Sequence, residues 1–108
     1  MVLVEAVYRD TAQFPREEAF GLAAQIRNAA LAVPARLAEG ATRGSVRELI
    51  QLLGASCGSL AALETQLEIA VRLGYLKPDA RAVIEAQRVG VLVGTLRRSL
   101  TSGALQQH

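Results

Sequence analysis

Residues 45–74, SVRELIQLLGASCGSLAALETQLEIAVRLG, decide the fold. Ser45 and Glu48 stand in the S-x-x-E spacing that caps a helix N-terminus, where the hydroxyl takes a backbone N–H three residues on. Gly74 supplies a left-handed stop at the other end. Between them Val46, Ile50, Leu53, Cys57, Leu60, Glu64, Leu67 and Val71 step by 4, 3, 4, 3, 4, 3, 4. That is a heptad seam with one polar intruder, Glu64. Leu49, Leu52, Ser56, Leu63 and Ala70 add a second stripe, so the apolar surface is wider than one partner helix covers. Gly54-x-x-x-Gly58 sits among Ala55, Ser56, Ser59, Ala61 and Ala62 and lets another backbone approach closely. The spacing predicts one long helix over 45–73 with several packing neighbours.

The flanking segments supply those neighbours. Residues 2–12 place Leu3, Ala6 and Val7 on one face of a short helix. Pro15 suits a first helical position, where its missing N–H costs nothing. Glu17 and Glu18 follow it in the turn where the helix dipole favours anions. A second helix is therefore expected over 16–39, with Phe20, Ala23, Ala30, Val33 and Leu37 at helical spacing. Pro34 should kink or break it, and Gly40 should end it. Pro78 opens a fourth helix over 78–100, and 101–108 is expected to fray. The connections are short, so adjacent helices should be antiparallel. The expected fold is an all-α, antiparallel, up-down-up-down four-helix bundle, with 1–108 as a single domain.

Composition bounds the function. A net charge of +2 excludes a strongly basic nucleic-acid binder by bulk charge. Eleven of the twelve basic residues are Arg, Lys77 being the exception, and Arg makes the planar contacts that suit carboxylates and phosphates. Aromatics are limited to Tyr8, Phe14, Phe20 and Tyr75. Apolar volume thus comes from Ala, Leu and Val, which suits close helix packing better than a large ligand pocket. Cys57 is alone, which excludes an intrachain disulfide, and its small-residue surroundings predict a buried, inert thiol. The longest charge-free stretch, 49–63, has 15 residues, short of the ~20 that span a bilayer. No basic segment precedes an apolar one at the N-terminus, so no signal peptide is read and a cytoplasmic, non-membrane protein is expected.

Enzymatic chemistry needs a positioned acid, base, nucleophile or metal. The one His is the terminal residue, and Cys/His metal spacing, a carboxylate–His di-iron pattern and a phosphate loop are all missing from the sequence. A non-enzymatic protein with neither metal nor cofactor is expected. Glu64 is the polar residue that demands a partner, because an ionised carboxylate buried alone costs several kcal/mol. In an antiparallel register, paired residue numbers sum to about 85 across the turn at 40–44 and about 152 across that at 74–77. This brings Glu64 near Gly21 and Gln25, level with Arg88, and puts Tyr8 at the same height. A buried polar layer of Tyr8, Gln25, Glu64 and Arg88 is expected, with Arg27 as an alternative partner.

From Tyr8 to Leu76 the chain resembles a bacterial four-helix-bundle family, the 23S rRNA intervening-sequence proteins. The resemblance is carried by Tyr8 with Phe14-Pro15 and Glu18, by Gly21-Leu22 with Gln25-Ile26-Arg27, and by Val33-Pro34-Ala35 leading to Ala38-Glu39-Gly40. Gly58-Ser59-Leu60, Glu64-Thr65-Gln66-Leu67 and Leu73-Gly74-Tyr75-Leu76 extend it. The chain departs from the family pattern at Arg36, where Asn is usual, at Ala62, where Glu is frequent, and in a shorter first helix. The resemblance implies a small bundle that forms a ring-like homopentamer, and relatives that accompany reverse transcriptases bind nucleic acid. With this topology Arg36, Arg43, Arg47, Arg97 and Arg98 fall at one end of the bundle, opposed by Glu39 and Glu48, and Asp10, Glu17 and Glu18 fall at the other. A ring would repeat the basic patch around one rim, where it could hold RNA or DNA by its phosphates. The other expectation is a scaffolding ring whose partner is an unidentified protein.

Overall fold

The computed structural model describes residues 1–42 and 44–106. Four α-helices make up the fold: α1 (Val2–Thr11), α2 (Leu22–Ala41), α3 (Val46–Arg72) and α4 (Arg81–Gln106). A single 3-10 turn (Arg16–Glu18) precedes α2, and there is no strand among the described residues. α1 packs on α2 and α4, α2 packs on α3, and α3 packs on α4. One apolar core runs through all four helices, with Leu3, Ile26, Leu53, Leu63, Leu67, Val7 and Val33 fully buried at its centre.

The long helix forms as its spacing predicts. Ser45 Oγ accepts the Glu48 N–H at 3.1 Å, and Gly74 closes the helix with a φ of 82°. Cys57 is half-buried against the core, more open than the buried thiol expected, because Gly58 and the facing Gly94 leave space beside it.

Helix α2 departs from expectation at both its start and its middle. Arg16 begins only a 3-10 turn, and the chain turns again through Ala19 and Phe20 before α2 starts at Leu22. The cause is Glu18, whose carboxylate accepts the Leu22 N–H at 3.1 Å while its carbonyl accepts the Gly21 N–H. Phe20 is consequently thrown outward and is 99% exposed instead of lying on the core face. Phe14 takes the core place, packed against Tyr75 with ring centroids 5.4 Å apart and the planes tilted by 47°. The break expected at Pro34 is absent: α2 runs through it to Ala41. Val33 beside it is fully buried, and packing on α1 and α3 holds the helix across the missing hydrogen bond.

Helix α4 starts later and ends later than its sequence suggests. Pro78 and Asp79 lie in the connection. Asp10 at the end of α1 accepts the Ala82 N–H at 2.8 Å, a cap supplied from 72 positions away. The helix extends through 101–106, beyond the end at 100 expected for it. Leu100 packs against the core, and Thr101 Oγ1 donates to the Arg97 carbonyl at 2.8 Å, so the helix continues to Gln106. Residues 107 and 108 of that tail lie outside the described residues.

Candidate functional site

The expected polar layer does not assemble in the isolated chain. Glu64 is exposed and makes no ion pair among the described residues. Its neighbour on α4 is Gly90, where the Glu64 carboxylate lies 3.1 Å from the point a Cβ would occupy. The register estimate is thus off by only two residues, yet two residues are about 200° around a helix, which sends Arg88 to another face. With no side chain at Gly90, the Glu64 carboxylate passes over it to solvent. Gln25 is exposed as well.

Two smaller assemblies replace the layer. On α1 and α2, Arg27 Nε donates to Thr11 Oγ1 at 2.8 Å, and Thr11 donates in turn to the Val7 carbonyl at 2.7 Å. The Arg27 guanidinium stands 5.0 Å from the centre of the Tyr8 ring, so Tyr8 and Arg27 do meet. On α4 the buried carboxylate is Glu85, 3% exposed. Arg81 approaches it at 3.1 Å and Arg88 at 3.6 Å. The charge spacing Arg81, Glu85, Arg88 was available in the sequence as an i, i+4 and i, i+3 pattern; burial of its centre was not.

The basic residues divide into two groups. Arg36 lies on α2 and pairs with Glu39 at 3.6 Å. Arg47 is exposed in the first turn of α3. Arg43 lies outside the described residues. Arg97 and Arg98 stand further from this connection. The Arg97 guanidinium crosses Gly54, its atoms 3.3 Å from where a Cβ would be, which is eight residues, or about 12 Å, along α3 from Val46. This corrects the single cluster that the sequence suggests: α4 runs on to Gln106, so Arg97 and Arg98 lie inside it and not at its tip.

Around these two arginines the glycines open a cleft. Gly90 and Gly94 on α4 face the small residues of α3, and a cavity of about 460 Å³ lies among Cys57, Glu64, Gly90, Gly94 and Arg98. Cys57, Gly94 and Arg98 also border a neighbouring cavity that is completed by Arg97, Thr101 and Ser102. Arg98 Nη2 donates to Thr95 Oγ1 at 3.4 Å, and neither Arg97 nor Arg98 pairs with a carboxylate among the described residues. Two guanidinium groups without a carboxylate partner among the described residues, beside the Ser102 hydroxyl, form a donor set suited to a phosphate or carboxylate, while the Thr101 hydroxyl is committed to the Arg97 carbonyl. Thr101 and Ser102 were hidden in the segment expected to fray; Leu100, seven residues after the buried Val93, is the sign that the helix continues. Among the described residues no group of three His, Cys, Asp or Glu side chains comes together to hold a metal ion.

Two comparisons bear on the chain as a whole. A family model described as 23S rRNA-intervening sequence protein matches residues 1–91. No curated protein matches the chain.

Proposed function

The chain belongs to the 23S rRNA-intervening sequence protein family, and from this premise we propose that it is a non-enzymatic homopentamer that binds nucleic acid weakly and without sequence preference. Each subunit is an antiparallel, up-down-up-down four-helix bundle. The closed circuit of helix contacts supports that topology, as does the descent of α4 along α3, with Arg97 beside Gly54 and Gly90 beside Glu64. The nucleic acid meets the cleft that Arg97 and Arg98 border on α4, with the exposed Arg47 further along toward the α2–α3 connection.

The observation that carries the reading is the arginine pair of α4. Arg97 and Arg98 border a cleft with Thr101 and Ser102 and have no carboxylate to neutralise them among the described residues. Such groups gain most from a phosphate, and a ring multiplies the weak contact of one subunit. Binding then proceeds by phosphate neutralisation with release of counterions, which carries no sequence information. The aromatic residues lie away from this end, so base stacking contributes nothing.

Fluorescence anisotropy with a labelled single-stranded RNA and a DNA duplex tests the proposal. Raising salt from about 50 to about 200 mM should weaken binding roughly tenfold or more. Arg97→Gln with Arg98→Gln should weaken RNA and DNA alike and flatten the salt dependence by about two phosphate contacts per subunit engaged. A flat isotherm for both nucleic acids at low salt would leave the second reading, a scaffolding ring with a protein partner. That reading has its own support in Val91, Leu92 and Leu96, which α4 leaves well exposed.

A further inference from the structure

Phe20 is one of four aromatic residues in the chain and is 99% exposed. It is nevertheless held in place. The Ala19 N–H is bonded to the Arg16 carbonyl and the Gly21 N–H to the Glu18 carbonyl, while the Glu18 carboxylate fixes Leu22 just beyond. A large apolar side chain presented on an ordered turn has the properties of an interface anchor, because little is lost in ordering it on binding.

A receptor for it exists on another face. Between α3 and α4 lies a cavity of about 310 Å³ walled by Leu67, Val71, Pro78, Val83 and Ala86. A cavity of ~150 Å³ already admits a benzene ring. Glu64 stands on its rim. Glu64 has no ion-pair partner among the described residues, and neither does Arg16, four residues before Phe20. The anchor and the receptor therefore carry complementary unpaired charges.

Their positions decide what they can join. Phe14 packs against Tyr75, Arg27 bonds to Thr11, and Asp10 caps Ala82. These contacts bring the start of α2, the end of α1 and the α3–α4 connection to one end of a molecule 53 Å long. Phe20 and the cavity thus share a height but face different ways. A contact between them in two copies uses unlike surfaces, and at equal height it repeats by rotation with little translation. Such a heterologous contact closes into a ring where its rotation divides a full turn.

We infer that Phe20 of one subunit inserts into the α3–α4 cavity of the next, with Arg16 of the first paired to Glu64 of the second. This inference rests on the homo-oligomer reading above and names the surface that builds it.

Sedimentation velocity on the full chain tests it, using wild type, Phe20→Asp, Glu64→Arg and Glu64→Arg with Arg16→Glu. Phe20 and Glu64 are exposed, so these variants should keep the helical circular-dichroism spectrum of the wild type. The expected result is an assembled wild type, a monomeric Phe20→Asp, a Glu64→Arg dissociation constant raised at least about tenfold, and recovery in the charge-swapped pair. An assembled Phe20→Asp, or no recovery in the pair, overturns this interface while leaving the oligomer intact. A wild type that is monomeric, or that assembles only on lipid vesicles, overturns the interface and the oligomer reading together.

Discussion

The Ser56 hydroxyl is fully buried in α3 and finds no hydrogen-bond partner. An unmet buried hydroxyl costs about 1–3 kcal/mol of desolvation, and Ala fills nearly the same space with no polar atom. Ser56→Ala should therefore raise stability by about 1 kcal/mol in urea unfolding. Glu85 poses the opposite case. Its carboxylate is buried but stands between Arg81 and Arg88, both largely exposed. Replacing both arginines by Ala orphans the charge, and the full penalty of such orphaning is about 3–5 kcal/mol. Screening of the exposed arginines by solvent reduces their contribution, so a loss of about 2 kcal/mol is expected for the pair, against a small change for Glu64→Ala. Equal losses for both would contradict this assignment of the buried carboxylate. Heptad spacing pointed to Glu64 because spacing reports which face a residue is on. It does not report what the facing helix offers there, and α4 offers Gly90, which leaves room for the side chain to reach solvent.

Element ends show where local sequence is sufficient and where it is not. The start of α3 was legible because Ser45 and Glu48 cap it within four residues. The start of α2 was not, because Pro15 and Glu18 both make plausible first turns and the Glu18 side-chain bond to Leu22 wins. The start of α4 was beyond local reading, since its cap comes from Asp10 on α1. Asp10 thus ties two helices together while satisfying an end that has no cap of its own. Asp10→Ala should cost about 1 kcal/mol, the usual value of a helix cap, and Asp10→Asn less, since an amide oxygen still accepts. Unfolding curves for the two variants check this; equal losses would mean that the carboxylate charge, and not the hydrogen bond, holds α4. The continuity of α2 through Pro34 is a tertiary effect of the same kind, with flanking core contacts compensating for the lost N–H.

At the scale of the molecule, lengths do not match. α1 has 10 residues and α3 has 27, about 15 Å against about 40 Å, so α1 covers less than half of the groove beside it. Val91, Leu92 and Leu96 on α4 are left exposed, whereas of the two apolar stripes read from 45–74 only Val46 is exposed, the other apolar members being buried or half-buried. The helical class and the four elements were legible, because periodicity fixes them, whereas the exposed Val91, Leu92 and Leu96 fall on α4 and not on the stripes of 45–74. The candidate cleft was legible only in part. Arg97 and Arg98 were marked by charge, whereas Thr101, Ser102 and the space made by Gly90 and Gly94 depend on how α4 lies on α3. An exposed apolar surface of this kind calls for association, and the account stands on that association being a closed ring of five. Sedimentation equilibrium of the wild-type chain at micromolar concentration measures it directly. The predicted result is a single species of five times the 11.5 kDa chain mass, about 58 kDa; a stable 11.5 kDa monomer across the concentration range would contradict it.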